Sequence, residues 1–180
     1  MKFKLLASIL ALGILSGCST IENAYLSAES KYENYKFNYQ VKSSQILILE
    51  ARAYLLEGDY EKAKSYLDQA FVKYSKQASL HAAYKDFYET LGNTKLAKLA
   101  EQRYEAMVRT SDVLNEKGRL AMVKYENHHL ANDLFSLSMI YHDENTSTLI
   151  NIATLGYTTE DYELAKTAIS LLDMLGHQSP

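Results

Sequence analysis

The 180-residue sequence predicts an all-α protein in which antiparallel helix pairs stack on one another. It contains only seven glycines and one proline. Because these residues mark turns, a chain nearly free of them is expected to form helices joined by short connections. A small residue also recurs every 34 positions, at Ala63, Ala97, Ala131 and Ala165. Four positions before each alanine stands a turn-forming residue: Asp59, Asn93, Asn127 and Asp161. The period favours a repeat solenoid over a non-repetitive helical bundle with accidental phasing.

The N-terminus has the organisation of a secretory signal. Lys2 and Lys4 precede an apolar run over residues 5–15, which is too short to span a bilayer. The run ends in Leu15-Ser16-Gly17-Cys18, which resembles the lipobox of bacterial lipoproteins. The resemblance implies that residues 1–17 are a removed signal peptide and that Cys18, the only cysteine, carries fatty acyl chains such as palmitate. The alternative is an ordinary signal peptide with a chance cysteine.

Ser19 follows the cysteine, where lipoproteins retained in the inner membrane commonly carry aspartate. By the same resemblance, we expect sorting to the outer membrane, facing the periplasm, with the membrane as a partner through the lipid. Loss of Lys2 and Lys4 with the signal changes the net charge from −3 to −5. No basic surplus remains to favour nucleic acid.

Residues 18–43 link this anchor to the repeats. Tyr25, Tyr32, Tyr35 and Tyr39 fall on one stripe of a predicted helix. The stripe fits a helix that caps the first repeat, a tether, or a helix that binds a partner, and the tyrosines alone do not separate these hypotheses.

The repeat region over residues 44–180 divides into units 44–77, 78–111, 112–145 and 146–180. In the first unit, the signature positions are Tyr54, Gly58-Asp59-Tyr60, Ala63, Leu67 and Ala70. This spacing resembles the tetratricopeptide repeat. The resemblance implies a right-handed superhelix in which the first helix of each pair lines a concave groove. Glycine or asparagine at the turn supplies the left-handed residue that ends the first helix.

Later units depart from the pattern. Glu101 replaces an apolar residue in the second unit, and Glu126-Asn127-His128 replaces the Gly-Asp-Tyr turn in the third. In the fourth, Gly156 and Thr158-Thr159 predict that the first helix stops early and that a threonine caps the second. The family's usual proline between units is missing, which leaves the unit boundaries weakly marked.

Carrying the family's groove positions over gives a set of candidate partner-binding residues on the first helices. They are Ile48, Arg52, Leu55, Ala82, Asp86, Glu89, Leu120 and Val123. Arg52, Asp86 and Glu89 give this lining both signs of charge, which suits a partner with charged and apolar anchors.

Candidate chemistry is sparse. His128-His129 with His142, Asp143 and Glu144 is the one cluster of metal-type ligands, but adjacent histidines on a helix point about 100° apart and do not chelate together. A metal-dependent activity there is the least favoured alternative. The sequence contains no nucleophile-elbow, zinc-protease or phosphate-loop motif. We therefore expect no enzyme activity, no cofactor and no metal.

Tetratricopeptide lipoproteins of the outer membrane include pilotins and Tad (Flp) pilus assembly lipoproteins. This resemblance implies a non-catalytic assembly factor for a pilus or secretion machine, whose partner is a secretin or another component of that machine. The alternative is a periplasmic adaptor that recruits a protease or a peptidoglycan enzyme.

Overall fold

A computed structural model describes residues 39–176, and these residues form helices joined by short connections. The helices are α1 over residues 39–57, α2 Tyr60–Lys73, α3 Ala78–Thr90, α4 Thr94–Val123, α5 His128–Tyr141, α6 Thr146–Thr158 and α7 Tyr162–Met174. The predicted signal peptide, the lipidation site Cys18 and most of the tyrosine stripe lie outside this range. Between residues 39 and 176, no helix is both long and apolar enough to cross a membrane.

Neighbouring helices pack as pairs, and neighbouring pairs pack on each other. The two helices of a pair are α1 with α2, α3 with the first half of α4, the second half of α4 with α5, and α6 with α7. Contacts of α2 with α3 and of α5 with α6 join successive pairs. Connections of two to four residues leave room only for antiparallel neighbours. From Ser43 onward the described residues form one compact unit. The predicted all-α solenoid of stacked helix pairs is therefore confirmed.

All four pairs turn through a residue in the left-handed region. Gly58 and Gly92 have φ of 80° and 70°, and Glu126 and Glu160 have φ of 51° and 61° at the same 34-residue spacing. The amides of Gly58 and Asp59 donate to the carbonyls of Leu55 and Tyr54, which is the Schellman pattern of a helix end. The predicted left-handed turn is confirmed at both glycines, and the two glutamates adopt it without glycine's conformational freedom.

The residue after each left-handed position caps the second helix of its pair. The side chain of each accepts a hydrogen bond from the backbone amide three residues on: Asp59 from Lys62, Asn93 from Leu96, Asn127 from Leu130, and Asp161 from Leu164. The predicted threonine cap is wrong, because α6 continues through Gly156 to Thr158 and Asp161 caps α7. The hydroxyl of Thr159 instead donates to the carbonyl of Leu155.

The periodic alanines are all buried between packed helices. Ala63, Ala97, Ala131 and Ala165 are 0%, 5%, 0% and 2% exposed. Each apolar core is shared between neighbouring helices: the first joins Ile48 and Ala51 of α1 to Leu67 of α2 and Leu80 and Phe87 of α3. Small side chains at the crossings allow the helix backbones to approach closely.

Helix α4 is continuous across the predicted boundary between residues 111 and 112. No proline lies within α4 and its one glycine, Gly118, lies several residues after the boundary, so the last helix of one unit and the first of the next fuse. At the junction, Ser111 and Ser138 are fully buried and their hydroxyl oxygens lie 2.8 Å apart. Asn145 Nδ2 donates to Ser111 Oγ at 2.8 Å, and Thr148 Oγ1 lies 2.8 Å from Ser138 Oγ. These mutual hydrogen bonds satisfy the polar groups that are buried between α4, α5 and α6.

Candidate functional site

Three of the predicted groove residues line one pocket. Arg52 of α1 faces Ala82 and Asp86 of α3 across a cavity of about 250 Å³. The remaining lining residues are Ser79, Lys85, Tyr104, His142, Asp143 and Glu144. We call this cavity the Arg52 pocket. Its lining includes residues of α1 and α3, which are the first helices of two successive pairs, and of the connection between α5 and α6.

The other predicted groove residues lie elsewhere. Ile48 is 2% exposed within the first apolar core, so its assignment as a contact residue is corrected: its side chain has no free surface in this fold. Leu55 is half-buried against the same core. Glu89 is exposed, with a carboxylate oxygen 3.9 Å from Lys85 Nζ. Leu120 and Val123 are exposed on α4, outside the Arg52 pocket.

Local hydrogen bonds hold the α5–α6 connection against the pocket. The amide of Asn145 donates to the carbonyl of His142 at 3.1 Å, and the side chain of Asn145 then caps α6. Gln45 Nε2 donates to Asp143 Oδ2 at 3.3 Å, which ties the connection to α1. The His142 ring packs edge-on against Tyr104, with 6.2 Å between ring centroids.

Sequence reasoning grouped His142, Asp143 and Glu144 with His128 and His129 as metal-type ligands. The structure separates them, because His128 begins α5 and His142 follows its end, about 20 Å away for a 14-residue helix. Within residues 39–176, no group of three or more His, Cys, Asp or Glu side chains could hold a metal ion. The link between 142–144 and the groove was missed, because nothing in the local sequence signals a contact with α1 about 90 positions earlier.

Carboxylates outnumber the free cations at the Arg52 pocket. Lys85 Nζ donates to Glu101 Oε1 at 3.0 Å and lies 3.9 Å from Glu89, so its charge is already matched. The hydrogen bond to Glu101 raises the pKa of Lys85 and keeps the ammonium charged. This pair also accounts for Glu101, the polar residue that departs from the repeat pattern.

Asp143 has an unusual environment for a carboxylate. Burial raises its pKa, and the neighbouring charge of Glu144 raises it further, while hydrogen bonds that include the one from Gln45 oppose the shift. A carboxylate removed from water in this way favours either protonation or a nearby cation. The fold therefore places a poorly solvated negative charge in the pocket wall.

Three buried polar atoms of the lining have no hydrogen-bond partner among the described residues. They are Arg52 Nε, Ser79 Oγ and His142 Nδ1. Across residues 39–176, no carboxylate lies within ion-pair distance of the Arg52 guanidinium. Buried polar groups in native proteins nearly always have partners, so unpartnered groups that converge on one cavity make it the candidate site of this fold.

A second cavity, of about 320 Å³, is lined by residues of α2, α3 and α4. Phe71, Leu99, Tyr84 and Arg103 are among its lining residues. Two of its polar side chains are engaged within the chain: Tyr84 Oη donates to Asp68 Oδ1 at 2.8 Å, and His81 Nε2 lies 3.0 Å from the carbonyl of Ser75. No residue pattern in the sequence predicts this cavity. None of the buried side-chain atoms without a partner among the described residues belongs to its lining, in contrast to the Arg52 pocket.

Comparison with known proteins finds solved structures that are similar to this chain. Pseudomonas aeruginosa pilF is similar to this chain at a TM-score of 0.38 and 19% sequence identity, over 78% of this chain and 79% of that one. No protein-family model matches the chain. No curated protein matches it. Similarity of this degree assigns neither a family nor a function to this chain.

Proposed function

We propose that this chain is a non-catalytic scaffold that binds a segment of another envelope protein. The Arg52 pocket carries the proposal. Each buried polar atom left without a partner costs about 1–3 kcal/mol, and a bound segment that completes those hydrogen bonds recovers this free energy. Three such atoms in one pocket of a helical solenoid fit a surface completed by a partner.

The site suits binding better than catalysis. An acid or base that transfers protons needs a reacting partner group within hydrogen-bond reach. In the Arg52 pocket, Lys85 is hydrogen-bonded to Glu101 and Asp143 to Gln45. These two hydrogen bonds hold the lining side chains in place. Neither pair activates Ser79, so we propose that the chain is not an enzyme.

We further propose that Cys18 anchors the scaffold by lipid to the periplasmic face of the outer membrane. The four-residue lipobox and Ser19 support this position. An assembly factor for a pilus or secretion machine requires such an address, because the ring-forming secretin lies in the same membrane. A secretin or another component of such a machine is the partner we propose.

Photo-crosslinking in cells tests the scaffold role. A photoreactive residue is placed at Ala82 in the pocket or at Glu89 beside it, and the matched control is Lys166, exposed on α7. We expect one envelope-machine protein to be trapped from Ala82 and Glu89 and not from Lys166. A protease or peptidoglycan enzyme trapped there would favour an adaptor role. No product, or equal products at all three positions, would refute the proposed groove.

Cys18→Ala tests the anchor separately. We expect the variant to leave the membrane fraction while its circular dichroism spectrum keeps the helical signal. Retention of the variant in the outer-membrane fraction would show that the lipid is not the attachment. Ser16→Ala serves as control, since a small residue there preserves the lipobox.

A further inference from the structure

The charge at the Arg52 pocket selects for a cation. Asp86, Asp143 and Glu144 line the cavity, and the ammonium of Lys85 is already matched by Glu101 and Glu89. Arg52 is the one lining cation without an ion pair among the described residues. The surplus of carboxylates attracts a positively charged group and repels an acidic one.

The unpartnered donor of Arg52 sets a second requirement. Its Nε–H is buried and needs an acceptor. A ligand that brings a cation to the carboxylates must therefore also offer an oxygen to Arg52. A peptide provides both, because each basic residue carries a main-chain carbonyl a few ångströms from its charged group.

The size of the cavity limits what enters it. About 250 Å³ lies below the roughly 300–1,000 Å³ of sites that enclose small molecules. One long side chain inserted from an extended segment fits this space better than a free metabolite.

The remaining wall also suits a cation. The Tyr104 ring borders the cavity, and aromatic faces attract ammonium and guanidinium groups. His142 Nδ1, which has no partner among the described residues, accepts a hydrogen bond when the proton is on Nε2. An inserted ammonium can thus donate to both a carboxylate and an imidazole.

We propose that the Arg52 pocket binds a lysine or arginine side chain of an extended segment of the partner protein, while Arg52 donates to that segment's main-chain carbonyl. This inference rests on the proposed scaffold function and names the chemistry of the partner. The two contacts have different consequences. The carboxylates favour a basic side chain over a neutral or acidic one, whereas the hydrogen bond from Arg52 strengthens binding of any peptide in the groove.

Titration with matched peptides tests the inference on the purified full chain. The probes are acetyl-Ala-Ala-Xaa-Ala-Ala-amide with lysine, norleucine or glutamate at the central position, followed by NMR of the backbone amides. We expect the lysine peptide to shift amides of Ala82, Asp86 and Asp143 and to bind about tenfold more tightly than the norleucine peptide. The glutamate peptide should bind most weakly of the three.

Three variants separate the two contacts. Asp86→Asn combined with Asp143→Asn should remove the preference for lysine over norleucine. Arg52→Gln should weaken the norleucine peptide, which loses only the carbonyl contact, by more than it weakens the lysine peptide, which also loses the repulsion between the two cations. Asp133→Asn, a change of the same type at an exposed position on α5, should alter neither. Circular dichroism verifies that each variant is folded.

The outcomes distinguish this inference from the scaffold function. Equal binding of the three peptides, tighter binding of glutamate, or no shift at the pocket would overturn the inference about a basic segment. The scaffold role would still stand or fall with crosslinking from Ala82 and Glu89, which is independent of the partner's charge.

Discussion

Gly118 of α4 lies directly against the ring of Phe135 of α5. A Cβ atom added to Gly118 would be 2.5 Å from Cε1 and 2.6 Å from Cδ1 of that ring. Phe135 is fully buried in an apolar core that α4, α5 and α6 share, beside Ala131 and Leu155. Glycine has a low helix propensity, but at position 118 the missing side chain allows the Phe135 ring to pack against α4.

Gly118→Ala should destabilise the protein despite its better helix propensity. Propensity alone predicts a gain of about 1 kcal/mol, whereas overpacking a filled core costs about 1–3 kcal/mol. We expect the free energy of unfolding in urea to fall. Adding Phe135→Leu to Gly118→Ala should cost less than the sum of the single changes, because the smaller side chain relieves the clash. A more stable Gly118→Ala would show that the ring moves freely.

Replacing glycine in one left-handed turn and introducing glycine in another should change the free energy of unfolding in opposite directions. Gly92→Ala forces a side chain into a left-handed residue and should lower the free energy of unfolding by about 1 kcal/mol. Glu160→Gly relieves the same conformation and should raise it, by up to about 1 kcal/mol. The matched control is Glu160→Ala, which removes the charge but keeps the strain. If Glu160→Ala stabilises as much as Glu160→Gly, charge and not backbone conformation is responsible.

The cap of α5 should contribute measurably to stability. Asn127 Oδ1 accepts from the amide of Leu130 at 3.0 Å, and Asn127→Ala should cost about 1 kcal/mol in thermal or urea unfolding. Asn132→Ala, inside the same helix, is the control and should not destabilise. Equal losses at both positions would mean that the cap is not the cause.

Asp143→Asn should raise stability at neutral pH while weakening binding of a basic peptide. Because burial raises the pKa of Asp143 above its ordinary 3.8, the folded chain holds that proton more tightly than the unfolded chain. The contribution of this group to stability is therefore greatest at low pH and decreases as pH rises from about 3.8 through the raised pKa. Asparagine carries no charge, so the cost of burying an ionised carboxylate is removed, and its side-chain oxygen still accepts the hydrogen bond from Gln45.

Melting curves at pH 7 and at pH 4 test this, with Asp133→Asn as control. The gain from Asp143→Asn should be larger at pH 7 than at pH 4. A loss of stability at pH 7 would show that the Asp143 carboxylate is well paired in the folded chain.

The candidate site was predicted only in part. Arg52, Ala82 and Asp86 were predicted from the groove positions of the tetratricopeptide family, and they do line one pocket. Ile48 was predicted in the same way and is buried, because the family's positions give the helix face only coarsely and the Ile48 side chain packs in the first core. His142, Asp143 and Glu144 carry no periodic signal, since they lie in a connection whose path depends on Gln45 and Tyr104.

The sequence by itself determined the repeat. The left-handed turn positions, the Asp and Asn caps and the small crossing residues depend on the chemistry of single residues, so they are visible at a period of 34. Only the tertiary structure decided that α4 is continuous, that Gly118 accommodates Phe135, and that Arg52 meets 142–144. The reason is physical: hydrogen-bond partners, burial and charge balance at a pocket depend on how separate helix pairs are placed. No local sequence pattern predicts such placement for residues about 90 positions apart.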